Sequence, residues 1–193
     1  MTYRTLAQAT AEEVGTVLAN VVRDARDNLA PRLLTILRGM DVDNPPYPVT
    51  RFEHALQSAS KALVDGREEE YVVAALLHDI GDELAPFSHG EYCAAVLRPY
   101  VSERIAWIVQ QHAIFDLFYY GHKVGLDRDA RDRFLGHPWY RDAVEFCAKY
   151  DQNCFDPDYE ALPLETFVPM VERVFAEPRY RTPETETVLK GSA

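Results

Sequence analysis

The chain has 193 residues and a formal net charge of −11, with 47 % apolar and 26 % charged residues, which suits one globular domain with a core of its own. The acidic balance, with no run of Lys or Arg, excludes a phosphate-neutralising nucleic-acid surface and a polybasic membrane anchor. No stretch approaches ~18 consecutive apolar residues, so no transmembrane helix is expected, and residues 1–10 lack the charged-then-apolar pattern of a signal peptide.

The chain reads as helix after helix. Residues 11–37 place Val14, Val17, Leu18, Val21, Val22, Leu29, Leu33, Leu34 and Leu37 largely at i, i+3/i+4 spacing, as an amphipathic helix or a helical hairpin would. Gly39 stops it, and the three prolines of residues 41–48 make a loop. A second helix is predicted over 51–64, with Phe52, Ala55, Leu56, Ala59 and Leu63 on one side and Asp65-Gly66 ending it. A third begins near Glu68 with acidic residues in its first turn. It is apolar all round from Tyr71 to Leu77, which predicts burial on every side, and Gly81 is its C-terminal signal.

Further helices are predicted over 89–97, stopped by Pro99, and over 102–111, with Ser102 as N-cap. Others are expected over 128–135, 139–150 and 164–175, and the tail 177–193 is expected to be loose. Tyr119-Tyr120 is the nearest approach to a strand. No repeat or linker divides the chain. The expected fold is one all-α domain over 1–193, with N-terminal helices to residue 40 and a helical core over about 51–175. The three cysteines, Cys93, Cys147 and Cys154, form no CxxC pair and cannot all be bridged. They point to buried reduced thiols packing in a cytoplasmic protein.

Four of the six histidines form a pattern. His54 and His78 are 24 residues apart, and His89 and His112 are 23 apart, each the size of one helical hairpin. Antiparallel helices joined by short turns return to the same end of a bundle, so this spacing can bring four imidazoles together. Asp79 follows His78 at the end of the most apolar helix. Imidazole and carboxylate without thiolate suit Fe, Mn, Co or Zn. Four His and an Asp exceed one mononuclear site. Two metals bridged by Asp79, with a second carboxylate completing the set, is the economical arrangement. Asp151, ending an amphipathic helix, is the best candidate for that carboxylate; Asp156 and Asp158 read as solvated. His122 and His137 read as loop or helix-edge residues.

His54, the run Ala75-Leu76-Leu77-His78-Asp79-Ile80-Gly81, and Asp151 resemble the His…His-Asp…Asp ligand pattern of the HD-domain superfamily. Within it, several segments are similar to the diiron oxygenase branch of myo-inositol oxygenase and the hydroxyphosphonate-cleaving dioxygenases. These are Asp41-Val42-Asp43, Phe52-Glu53-His54-Ala55-Leu56-Gln57-Ser58-Ala59, His89-Gly90-Glu91-Tyr92, and Tyr150-Asp151-Gln152-Asn153-Cys154. The resemblance implies that His54, His78 and Asp151 hold one iron, that His89 and His112 hold the other, and that Asp79 bridges them. It implies a mixed-valent Fe(II)/Fe(III) oxygenase that uses O2 to cleave a C–C or C–P bond of a small polar substrate.

The larger branch, metal-dependent phosphohydrolases using metals such as Mn, Co or Zn on a phosphate ester or nucleotide, is the alternative. Four residues after His78 and four after His112, where relatives carry basic or neutral substrate contacts, stand Asp82 and Asp116. A carboxylate at the site favours a substrate bearing an ammonium group or hydroxyls. Phe115, Phe118, Tyr119 and Tyr120 either pack helices or form an aromatic wall for a cationic head group. Tyr47, seven residues before His54, either acts as a lid over the site or packs within its loop, and Lys123, Arg141 and Lys149 are candidate anion contacts or surface cations.

Overall fold

The computed structural model describes residues 3–42 and 47–192; Asp43, Asn44, Pro45 and Pro46 of the proline loop lie outside them. Among the described residues all regular structure is helical. In order the helices are α1 (Ala11–Gly39), α2 (Arg51–Val64), α3 (Glu69–Leu77), α4 (His89–Leu97), α5 (Glu103–Tyr120), α6 (Tyr140–Tyr150), α7 (Leu164–Phe175) and α8 (Pro183–Gly191). No helix is long and apolar enough to cross a membrane.

Two of the starts are set by reciprocal caps. Thr10 with Glu13 opens α1, and Thr50 with Glu53 opens α2; in each the Thr hydroxyl accepts from the Glu backbone N–H while the Glu side chain accepts from the Thr backbone N–H. Each cap is worth about 1 kcal/mol. The second one fixes where α2 begins, and so where His54 falls on its face. α1 is one continuous helix through Pro31, not a hairpin.

The centre is α3. Every residue from Tyr71 to Leu77 is buried, as its uniform apolarity predicts, because α2, α5 and α7 pack around it. The helix ends at Leu77, and residues 78–84 form turns. Gly81 is therefore not a helix terminator. Its role is close approach: a Cβ there would lie 2.5 Å from Cδ1 of Tyr92, and its N–H donates to Cys93 Sγ.

α4 and α5 form the second hairpin, and they cross at Gly90. A Cβ on Gly90 would sit 2.8 Å from the Gln110 carbonyl oxygen and 3.1 Å from that of Val109. Backbone cannot yield as a flexible side chain can. Gly90→Ala is expected to cost about 1–3 kcal/mol, read as a lowered denaturant midpoint; an unchanged midpoint would show that the crossing is not this tight.

Three further expectations are corrected. α5 runs to Tyr120, so His112 is mid-helix and Tyr119-Tyr120 is helical. Residues 130–134 form a 3-10 turn, not an α-helix. The tail carries α8, capped by Thr182 and packed on α1; proline at its first position is tolerated because that N–H has no helical partner.

Candidate metal centre

α2 and α3 bring His54 to His78, and α4 and α5 bring His89 to His112. The two pairs face each other across Asp79. The Nε2 atoms of His54 and His78 are 3.2 Å apart, and those of His89 and His112 are 3.1 Å apart. Asp79 divides its oxygens between them. Oδ2 lies 3.5 Å from His78 Nε2 and 3.7 Å from His54 Nε2. Oδ1 lies 3.2 Å from His112 Nε2 and 3.6 Å from His89 Nε2. Asp151 Oδ1 adds to the first group, 3.5 Å from His54 Nε2 and 3.6 Å from His78 Nε2.

The outer nitrogens decide what the inner ones can do. Nδ1 of His54, His78 and His112 faces the main-chain carbonyls of Cys154, Ala75 and Val109 at 3.0, 2.8 and 2.6 Å. A carbonyl only accepts, so each Nδ1 carries the hydrogen and each neutral ring turns a lone pair inward. Lone pairs about 3 Å apart repel unless a cation lies between them. Asp151 Oδ2 is buried with no hydrogen-bond partner. Chemically, this donor set fits two hard or borderline cations side by side.

The charges respond to one another. Burial disfavours a charge on His78, but Asp79 and Asp151 outweigh it and raise its pKa to about 9. Asp79 and Asp151, although buried, are held far below the ordinary carboxylate range, chiefly by His78. Burial lowers the pKa of His89. For His112 burial acts the same way, but the hydrogen bond to Asp79 prevails and the pKa is raised.

A prediction on pH follows. With His78 raised from 6.5 to about 9, the metal-free fold gains stability from this proton below pH 6.5 and loses it as pH rises through about 9. The loss is on the order of 3 kcal/mol at most. Chelator-treated protein should unfold more easily at pH 9 than at pH 6.5. Metal-loaded protein should not show that decline, since metal replaces the proton. Apo stability rising across this interval would contradict the assignment.

Asp151 is placed by a polar stripe on α2 that sequence reasoning missed. Ser58 Oγ donates to the Tyr150 carbonyl. The Gln57 amide clamps residue 156, donating to its carbonyl at 2.7 Å and accepting from its N–H at 3.2 Å. Ser60 Oγ accepts from the Leu162 N–H. These buried side chains hold the segment after α6 so that Asp151 and the Cys154 carbonyl meet His54. Their signal is three polar residues on a helix otherwise facing the core.

A cavity of about 610 Å³ opens onto the centre, lined in part by Asp79, His89, His112, Asp116, Lys123 and Gln152. Tyr47, Tyr119, Tyr120 and Phe155 form its aromatic surface. Phe155, also missed, stacks on His54 at 4.4 Å and on Tyr47 at 6.0 Å. Of the predicted aromatic wall only Tyr119 and Tyr120 line the cavity. Phe115 is core, packed on Trp107, Phe134 and Tyr140, and Phe118 is covered by the guanidinium groups of Arg128 and Arg131. His137 stacks on Trp107 at 3.9 Å, and His122 is exposed. Cys93, Cys147 and Cys154 are free and buried.

Asp82 and Asp116 both line the cavity, each beside another ionisable side chain. Asp82 is ion-paired with Arg51 and faces His89 Nδ1 at 3.4 Å. Asp116 sits beside Cys147 and Asp151, and burial together with the Asp151 charge raises its carboxyl well above the ordinary range.

No protein-family profile matches the chain. A stretch of 76 residues is 41 % identical to the [1-hydroxy-2-(trimethylamino)ethyl]phosphonate dioxygenase (glycine-betaine-forming) of Leisingera caerulea. The match covers 34 % of this chain and 39 % of that relative, so the chain aligns with well under half of the relative's length.

Proposed function

We propose that the chain is a single-domain, HD-type non-haem diiron oxygenase of the cytoplasm that uses O2 to break a C–P or C–C bond of a small polar organic substrate. The observation that carries this reading is the convergence of four imidazole lone pairs and two carboxylates on two adjacent points spanned by Asp79. His54, His78, Asp151 and Oδ2 of Asp79 would hold one iron; His89, His112 and Oδ1 of Asp79 would hold the other. The iron pair, when bound, would supply O2 activation, and the electrons that reduce O2 would come from the substrate as it is oxidised and cleaved.

The remaining residues set the substrate. The second group has fewer protein ligands and borders the cavity, so it leaves positions for substrate oxygens. Tyr47, Tyr119, Tyr120 and Phe155 offer π-faces to an ammonium head group. Lys123, at the same cavity, offers a cation to an anionic end. A hydroxylated, amino-bearing organophosphonate, the chemistry in the relative's name, has all three features. Phe155 over His54 keeps water from that side, and Tyr47, half exposed beside it, closes the rim.

The test is O2 uptake by iron-loaded protein over amino- and hydroxyphosphonates and polyols. Substrate-dependent O2 consumption, with phosphate release where a phosphonate is cleaved and no turnover without O2, is expected. Anaerobic hydrolysis of phosphate esters or nucleotides with Mn, Co or Zn would replace this reading with the phosphohydrolase one.

A further inference from the structure

The four histidines are not held alike. His54, His78 and His112 each give Nδ1–H to a main-chain carbonyl. His89 faces a side-chain carboxylate instead: Asp82 Oδ1 lies 3.4 Å from its Nδ1. Oδ2 of the same carboxylate is paired with Arg51. Asp82 and His89 are each 20 % exposed at the side chain and Arg51 is 21 %, so the chain of three is largely shielded from solvent.

Arg51 is the first residue of α2, the helix that carries His54. Its guanidinium also lies over the Tyr47 ring, 5.6 Å from the centroid. One end of α2 thus supplies a ligand to one half of the centre and, through Asp82, a restraint on the other half.

A carbonyl is a neutral acceptor, whereas a carboxylate is charged and pulls harder on the imidazole N–H. That fixes the ring orientation and makes the opposite nitrogen a stronger electron-pair donor. An arginine on the far side of the carboxylate gives its other oxygen a fixed partner and so limits its rotation. His89 belongs to the half with the fewest protein ligands, where one weak donor matters most.

We propose that Asp82, anchored by Arg51, is a positioning residue for His89 and selectively secures the metal held by His89 and His112. This rests on the two-metal reading above. It also gives Asp82 a role that needs no contact with substrate.

The test uses iron-loaded wild type, Asp82→Ala, Asp82→Asn and Arg51→Ala. Iron per chain is followed against rising chelator, with the Mössbauer or EPR spectrum of each sample. Wild type is expected to hold two irons. Asp82→Ala should release one iron at roughly ten- to hundredfold lower chelator while the other stays, with the coupled-pair spectrum replaced by that of an isolated iron. Asp82→Asn, which keeps an acceptor but no charge, should fall between, and Arg51→Ala should shift the same iron less than Asp82→Ala. Circular dichroism of the metal-free forms checks folding, and a misfolded Asp82→Ala leaves the decision to the other two variants. Wild-type retention and spectra in all three overturn the proposal, as does equal loss of both irons. Fewer than two irons in the wild type overturns the two-metal reading, and the proposal with it.

Discussion

Asp79→Ala should empty both halves of the centre and bring O2-dependent turnover down at least about a thousandfold, roughly 4 kcal/mol of barrier, while the chain stays folded. Asp79 is the one side chain that reaches all four imidazoles, with Nε2 distances of 3.2–3.7 Å shared between its two oxygens. In the proposed two-metal centre, removing it would take a ligand from each metal and the negative charge between them. His112→Ala should act differently, because it takes a ligand from one half only. Iron analysis of the two variants separates these outcomes. Asp79→Ala that keeps two irons would show that Asp79 bridges nothing.

Phe146→Ala is expected to cost about 3–5 kcal/mol of folding free energy. Phe146 is fully buried on the inner face of α6. Its ring meets His78 edge-on at 5.5 Å and Tyr71 at 5.9 Å. The alanine would leave a cavity directly beneath a ligand histidine, so iron should also bind more weakly. Urea denaturation of the metal-free protein measures the first effect without the second. A loss under about 1 kcal/mol would mean that neighbouring side chains collapse into the gap.

What the sequence made legible was local and periodic. α2, α4 and α7 have the bounds the sequence predicts, α2 through its Thr50/Glu53 cap. The two histidine pairs follow from hairpin length, because short turns leave little choice of where a helix returns. α5 extends beyond its expected end because nothing between Gln111 and Tyr120 is a breaker; the adjacent tyrosines favour strand on propensity alone, but packing against α4 and α6 decides in favour of helix. α8 was hidden because its proline reads as disruption unless it is seen to be the first helical residue.

The charged surroundings of the site are less legible along the chain than its position. Position relative to His78 and His112 puts Asp82 and Asp116 near the site, and that much is visible along the chain. Their partners are not. Arg51 is 31 residues from Asp82, and Asp151 is 35 from Asp116, so only the folded bundle shows one carboxylate ion-paired and the other buried beside a second carboxylate that raises its pKa. Gln57, Ser58 and Ser60 were unreadable for the same reason: their partners lie between 92 and 102 residues away. The cavity itself is lined by Asp79, Asp82, Asp116 and Asp151, beside Lys123 and the rings of Tyr47, Tyr119, Tyr120 and Phe155.

The most direct measurement is the iron content of protein loaded anaerobically with Fe(II), together with its Mössbauer spectrum after partial oxidation. Two irons per chain with spin coupling between them is the predicted result. One iron per chain, or two that are magnetically independent, would contradict a pair bridged by Asp79.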